Sequence, residues 1–142
     1  TNDGARRAGY SAPGISGQRE AVTSALRMAG VTADAMGYVE CHATATLVGD
    51  GIELRALTEA YAAQGSGASG EGYCAIGSVK GNIGHANAAA GITGLIKAAM
   101  CISQATLVPT ANFNKLNDKV QLAGGPFAVN GVLCPWSRLA PA

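Results

Sequence analysis

The chain has 142 residues, 48% of them hydrophobic and 13% charged, with a formal net charge of +1. That length suits one domain with a real core. The near-neutral charge gives no electrostatic case for a nucleic-acid or membrane partner, and no apolar run reaches the ~18 residues of a spanning helix.

Residues Thr1 to Gly17 are polar and glycine-rich and read as a loop. Ser16 or Gly17 caps the next helix, whose apolar stripe is Val22, Ala25, Leu26 and Ala29, with Gly30 as its stop. Thr32 caps a single turn ending near Gly37. Tyr38 to Cys41 is a short β-prone run, and His42 follows it directly. Thr44 and Thr46 alternate, so in an extended segment both point to one side. Two such hydroxyls can bind an amide-bearing ligand or satisfy loop backbone groups. Asp50 and Glu53 have the spacing of an N-cap and its box partner. Ile52, Ala56, Leu57, Ala60 and Tyr61 form the buried face of the helix they open. Glu40, Asp50 and Glu53 are read as capping and strand-end groups ahead of catalytic acids. Residues 62–72 are small, polar and glycine-rich, a flexible surface loop.

A second β-type run, Tyr73 to Val79, leads into Lys80, Gly81, Asn82, Gly84 and His85. A small-residue helix from about Ala86 to Ser103, roughly 27 Å long, comes next. Ile92, Leu95, Ile96 and Ala99 continue its stripe; Lys97 interrupts the most apolar segment, Ala88 to Ile102, which therefore reads as a buried helix and not a membrane span. Past it, 107–118 is irregular, while Val120–Leu122 and Phe127–Val129 read as short strands. Strand, polar elbow and helix is where an α/β protein places its chemistry, just past the carboxyl end of a strand. Two histidines at two such ends point to one shared site. The competing reading is a solvated Lys80 and a His85 that merely caps a helix. Cys41, Cys74, Cys101 and Cys134 show no C-x-x-C pair and no secretory signal, so they read as reduced thiols of a cytoplasmic protein, not a zinc site. The absence of an H-E-x-x-H spacing leaves a metal hydrolase built on His42 and His85 a weak reading, and no metal ligand is assigned.

Two blocks carry a resemblance. Glu40-Cys41-His42-Ala43-Thr44-Ala45-Thr46, followed by Gly49-Asp50-Gly51-Ile52-Glu53, is similar to the E-A-H-G-T-G-T and G-D-P-I-E pattern of the β-ketoacyl synthase (ketosynthase) domains of modular polyketide synthases. Gly77-Ser78-Val79-Lys80-Gly81-Asn82-Ile83-Gly84-His85 resembles the family's G-S-V-K-S-N-I-G-H. Asn2-Asp3-Gly4, Pro126 to Asn130 and Pro135-Trp136 stand in the family's usual order, so the resemblance runs nearly end to end.

The resemblance implies a thiolase-like α/β fold, and in it the C-terminal half: strand-helix units of one layered half. Residues 1–142 then form a single partial domain lacking the nucleophile half and the closing glycine-rich block. It implies decarboxylative Claisen condensation between an acyl-cysteine thioester and a malonyl-type extender on acyl carrier protein. His42, His85 and Lys80 would be catalytic and Thr44, Thr46 and Asn82 substrate-binding, with the two threonines contacting the carrier's pantetheine arm and Asn82 also helping to position His85. No cofactor would bind directly, since phosphopantetheine arrives on the carrier protein. Expected partners are an N-terminal half bearing the reactive cysteine, the carrier protein, and a second copy in a homodimer of the complete domain. None of the four cysteines matches the family nucleophile, so the chain alone is expected to be inactive. A non-condensing, acyl-binding scaffold is the alternative. Ala43 and Ala45 replace family glycines, which costs about 1 kcal/mol or more wherever φ is positive. Two outcomes are expected: the histidines meet in space, and the isolated chain exposes an apolar face beyond the ~300 to 600 Å² of ordinary monomers.

Overall fold

The computed structural model describes residues 13–46, 48–66, 69–118 and 120–137; the loop expected before Pro13 and part of the one over 62–72 lie outside them. The helix α1 (Ile15–Ala29) begins earlier than its sequence pattern suggests, with Gly14 at the N-cap and no side-chain cap. Gly30 ends it as expected, in the left-handed conformation at φ 67°, its N–H reaching Arg27 and Leu26 carbonyls. A 3-10 turn over Ala33–Ala35 has Thr32 at its N-cap, again without a side-chain bond.

Three parallel strands form the sheet: β1 (Tyr38–Glu40), β2 (Cys74–Gly77) and β4 (Phe127–Val129), in the order β1-β2-β4. Register pairs Glu40 with Gly77, and Ile76 with both Val39 and Val129. Side chains alternate across a strand, so Val39, Cys74, Ile76 and Phe127 share one face. There they meet Leu54, Leu57 and Tyr61 of α2 (Gly49–Gln64) and Leu26 of α1 in a single core. The Tyr61 and Phe127 rings pack at a 59° tilt with centroids 4.7 Å apart.

Several expectations for α2 need correction. Val48 holds the N-cap, Asp50 already lies within the helix, and the helix runs on to Gln64 where a loop was expected from Ala62. Leu54 is buried with Ala56, Leu57, Ala60 and Tyr61, while Ile52 is only half-buried. The capping box fails because its members are placed otherwise: Glu53 turns to the His42 loop, and Thr46, upstream of the cap, receives the Gly49 N–H.

On the opposite face of the sheet lies α4 (Ala90–Ser103), against β1. It is shorter than expected, ~21 Å, because the chain first makes a one-turn helix α3 (Lys80–Ile83) and a 3-10 turn over Asn87–Ala89. Gly94 permits the approach: a Cβ there would sit 2.9 Å from Glu40 Cγ. A small antiparallel pair, β3 (Thr106–Leu107) and β5 (Cys134–Pro135), follows. Val120 is buried in the core from an irregular segment, not from a strand.

The sequence reading of α4 as buried does not hold within this chain. Only Gly94 and Cys101 are buried, whereas Ile92, Leu95, Ile96, Met100 and Ile102 are each more than half exposed. The helix packs through Gly94, Cys101 and the Lys97 side chain and leaves its large apolar residues open. No helix among the described residues is long and apolar enough to cross a membrane. The chain on its own should therefore bind a hydrophobic dye in its native state. Ile96→Glu with Met100→Glu should cut the dye signal by more than half, yet cost no more than ~0.5 kcal/mol per exposed site in thermal melts.

Candidate active site

Both histidines stand just beyond the carboxyl ends of adjacent parallel strands, His42 after β1 and His85 after β2. Their rings lie 5.0 Å apart, centroid to centroid, edge to face at 79°. Far apart in sequence, they are brought together by the strand pairing. Both are exposed in this chain.

A carboxylate from α2 holds the first of them. Glu53 accepts the His42 N–H through one oxygen at 2.6 Å and the Ala43 N–H through the other at 2.8 Å. The segment that follows is bent, not extended. Ala43 has φ 30° and Ala45 φ 57°, left-handed values that cost an L-residue roughly 1–2 kcal/mol each. The bend brings the Thr44 and Thr46 hydroxyls to 3.4 Å of each other. Thr46 also accepts the Gly49 N–H at 3.1 Å, so of the two, Thr44 is the freer to meet a ligand.

The second histidine leaves α3 through Gly84, whose φ of 73° and ψ of −170° suit only glycine. Its Nδ1 accepts the Asn87 N–H at 3.0 Å. In the neutral ring the proton is then on Nε2, which is free to donate. The expected seat of His85 at the start of the long helix is not found, because the 3-10 turn intervenes. Lys80 is half-buried and lines a cavity of about 560 Å³ together with His85, Thr44, Ala43, Ala45 and Glu53. Asn82 does not join them. One helical turn over Lys80–Ile83 sends residues two apart to different sides, and Asn82 lines a separate depression with Ile96 and Lys97. Gly81 stands where the family pattern has serine, and a Cβ there would collide with the Ala111 carbonyl oxygen. Asn112 Nδ2 donates to the Gly81 carbonyl at 2.8 Å, closing that loop onto the elbow.

A cluster that pattern reading missed lies under the elbow. Glu40 Oε1 accepts the Val79 N–H at 2.5 Å, and Oε2 accepts the Tyr38 hydroxyl at 2.6 Å. Lys97 Nζ is 3.0 Å from Oε2, with both side chains about nine-tenths buried. The ammonium also stands 5.5 Å from the Tyr38 ring centroid. Burial, then the hydrogen bond to Glu40, raises the Tyr38 phenol above its ordinary range. A lone lysine inside an apolar helix was the available signal.

Of the four cysteines, Cys101 is buried and Cys134 is half-buried. Cys41 and Cys74 are buried; burial pushes the Cys41 thiol well above its usual value and Cys74 up to about 11. Among the described residues no three His, Cys, Asp or Glu side chains gather as a metal site would require.

Two outcomes follow from this geometry. At pH 8, Cys41 and Cys74 should resist iodoacetamide in the native chain and label on unfolding, as peptide mass spectrometry would show. Ala45→Gly should raise stability by ~1 kcal/mol in thermal melts, because it removes the left-handed penalty; an unchanged or lowered melting temperature would refute that strain.

Residues 1–114 match the family model described as the beta-ketoacyl synthase, C-terminal domain. Among solved structures, ketosynthase twelve of the bacillaene polyketide synthase of Bacillus amyloliquefaciens superposes with a TM-score of 0.89 at 37% identity, covering 96% of this chain and 24% of that one. The ketosynthase from module 6 of the bacillaene synthase of Bacillus subtilis 168 gives 0.88 and 37%, covering 98% and 24%. A phenolphthiocerol/phthiocerol polyketide synthase of Mycobacterium tuberculosis is 38% identical over 135 residues, 95% of this chain and 9% of that protein. The chain thus spans about a quarter of the solved ketosynthases and less than a tenth of that curated relative. In sequence and in its thiolase-like α/β architecture, the chain belongs to the β-ketoacyl synthase family and corresponds to part of that family's C-terminal half.

Proposed function

We propose that this chain supplies the histidine-bearing side of a polyketide ketosynthase, an acyltransferase that extends an acyl chain by decarboxylative Claisen condensation. The observation that carries this is the pair of imidazoles 5.0 Å apart at two parallel strand ends, with Lys80 lining the adjoining cavity. When a malonyl-type thioester loses carbon dioxide, the electron pair of the broken C–C bond passes into an enolate, and negative charge develops on the thioester oxygen. Two N–H donors aimed at that oxygen stabilise it, each worth ~3 to 4 kcal/mol in comparable sites. His85 Nε2–H, set by the Asn87 bond, is one donor, and His42 is the other. The enolate carbon then attacks the thioester carbonyl of an acyl-cysteine and the thiolate leaves. Lys80 keeps positive charge beside these steps.

The reactive cysteine belongs to an N-terminal half that packs against this chain, and the exposed large residues of α4 are the face it covers. Alone, this chain does not condense acyl groups, because none of its four cysteines matches the family nucleophile, and Cys41, Cys74 and Cys101 are buried. The extender arrives on a phosphopantetheine arm of acyl carrier protein, whose amides meet the Thr44 hydroxyl, with Thr46 beside it. The complete domain works as a cytoplasmic homodimer.

The test uses the complete ketosynthase that contains this chain. His42→Ala or His85→Ala should slow malonyl decarboxylation by ~100-fold or more, with folding checked by thermal melts. Thr44→Val should weaken carrier-bound substrates and spare small thioester analogues. Thr46→Val should in addition lose ~1 kcal/mol of stability, because its hydroxyl also serves the start of α2. If both histidine variants fold and decarboxylate at the parent rate, the acyl-binding scaffold becomes the better account.

A further inference from the structure

Besides the Glu53 anchor on the His42 loop, three segments flank the two imidazoles: the end of β1 before His42, the turn before His85, and the helix after it. One carboxylate touches all three. Glu40, two residues before His42, accepts the Val79 N–H at the entry to the Lys80 turn. The same side chain faces Lys97 of α4 at 3.0 Å, and Gly94, one turn before Lys97, lies against its Cγ. Tyr38 donates to it from the same strand.

We propose that Glu40 and Lys97 are positioning residues for the histidine pair: together they set the separation of His42 and His85, and so the rate of the chemical step more than the affinity for substrate. The assignment rests on the ketosynthase reading for its catalytic consequence, but not for its geometric one. Neither residue lines the cavity that holds Lys80, Thr44 and His85, so neither is placed to touch substrate. Their effect must pass through the backbone. Val79 N–H is the link on one side. On the other, α4 is held at its observed height by the ion pair. The sheet supplies part of this constraint on the His42 side, where the Cys41 N–H donates to the Gly77 carbonyl at 2.8 Å, but β2 ends at Gly77, well before His85.

A purely structural pair and a positioning pair differ in what a double substitution does. Glu40→Gln keeps an acceptor for Val79 but leaves Lys97 charged and unpaired; Lys97→Met does the reverse. Glu40→Gln with Lys97→Met leaves no stranded charge. In the complete ketosynthase, each single variant should lose melting temperature and lose ~10-fold or more in kcat for decarboxylation. In the double variant, melting temperature should return toward the parent while kcat stays at least ~10-fold down and KM stays within ~3-fold. Recovery of both stability and kcat would reduce the pair to a structural role and overturn the proposal.

A second measurement does not depend on the reaction. This chain has two histidines, so in selectively labelled chain a ring-to-ring nuclear Overhauser effect between imidazoles has one assignment. It should be present in the parent and weakened or lost in the double variant; an unchanged effect would overturn the proposal even if the single variants fail to fold. A ring contact that responds as stated, in a ketosynthase whose His42→Ala and His85→Ala variants keep the parent rate, would sink the catalytic reading and leave the geometric one standing.

Discussion

A carboxylate withdrawn from water must be given donors, and the carboxyl edge of this sheet is organised by two that are. Glu40 gathers a backbone N–H, a phenol and an ammonium from three segments. Glu53 takes two successive N–H groups of the His42 loop. Breaking a buried pair such as Glu40–Lys97 strands a charge at a cost of ~3–5 kcal/mol, although replacing both partners with apolar groups is often nearly neutral. The pair therefore contributes more to fixing geometry than to net stability.

The loop after His42 shows what that geometry costs. Two alanines accept left-handed dihedrals, and in return Thr44 and Thr46 turn to the same point. Glu53 anchors the first of these bends from α2, whose own packing on α1 and the sheet is apolar and extensive. Local strain at the site is thus supported by the core beneath α2. The other histidine is placed with less strain, because Gly84 carries its unusual ψ without a Cβ.

The two faces of the sheet are finished to different degrees. Beneath α1 and α2 lies a closed core with Cys74 and Ala60 wholly buried. On the other side α4 meets β1 through glycine and leaves its isoleucines, leucine and methionine facing outward. Covering such a side chain completely from full exposure is worth ~1.5–3 kcal/mol, so this half-exposed face leaves hydrophobic free energy that the chain alone does not gain.

Much of this was legible in the residues themselves. The β-prone runs ending at His42 and before Lys80, the α1 stripe with its glycine stop, and the two signature blocks are local properties of the chain, and local periodicity and turn chemistry report them directly. The parallel sheet follows from strands alternating with helices. What the sequence did not determine is everything that depends on which partner wins. Glu53 spaced from Asp50 looks like a capping box, yet the His42 loop competes for its oxygens and takes them. Asn82 sits in the same short motif as Lys80, but a helical turn separates their directions. The apolar stripe of α4 reads as core because periodicity records that a face is hydrophobic, not what covers it. The left-handed alanines and the Glu40–Lys97 pair arise only when distant segments close on one another, and no window of sequence contains both sides of such a contact.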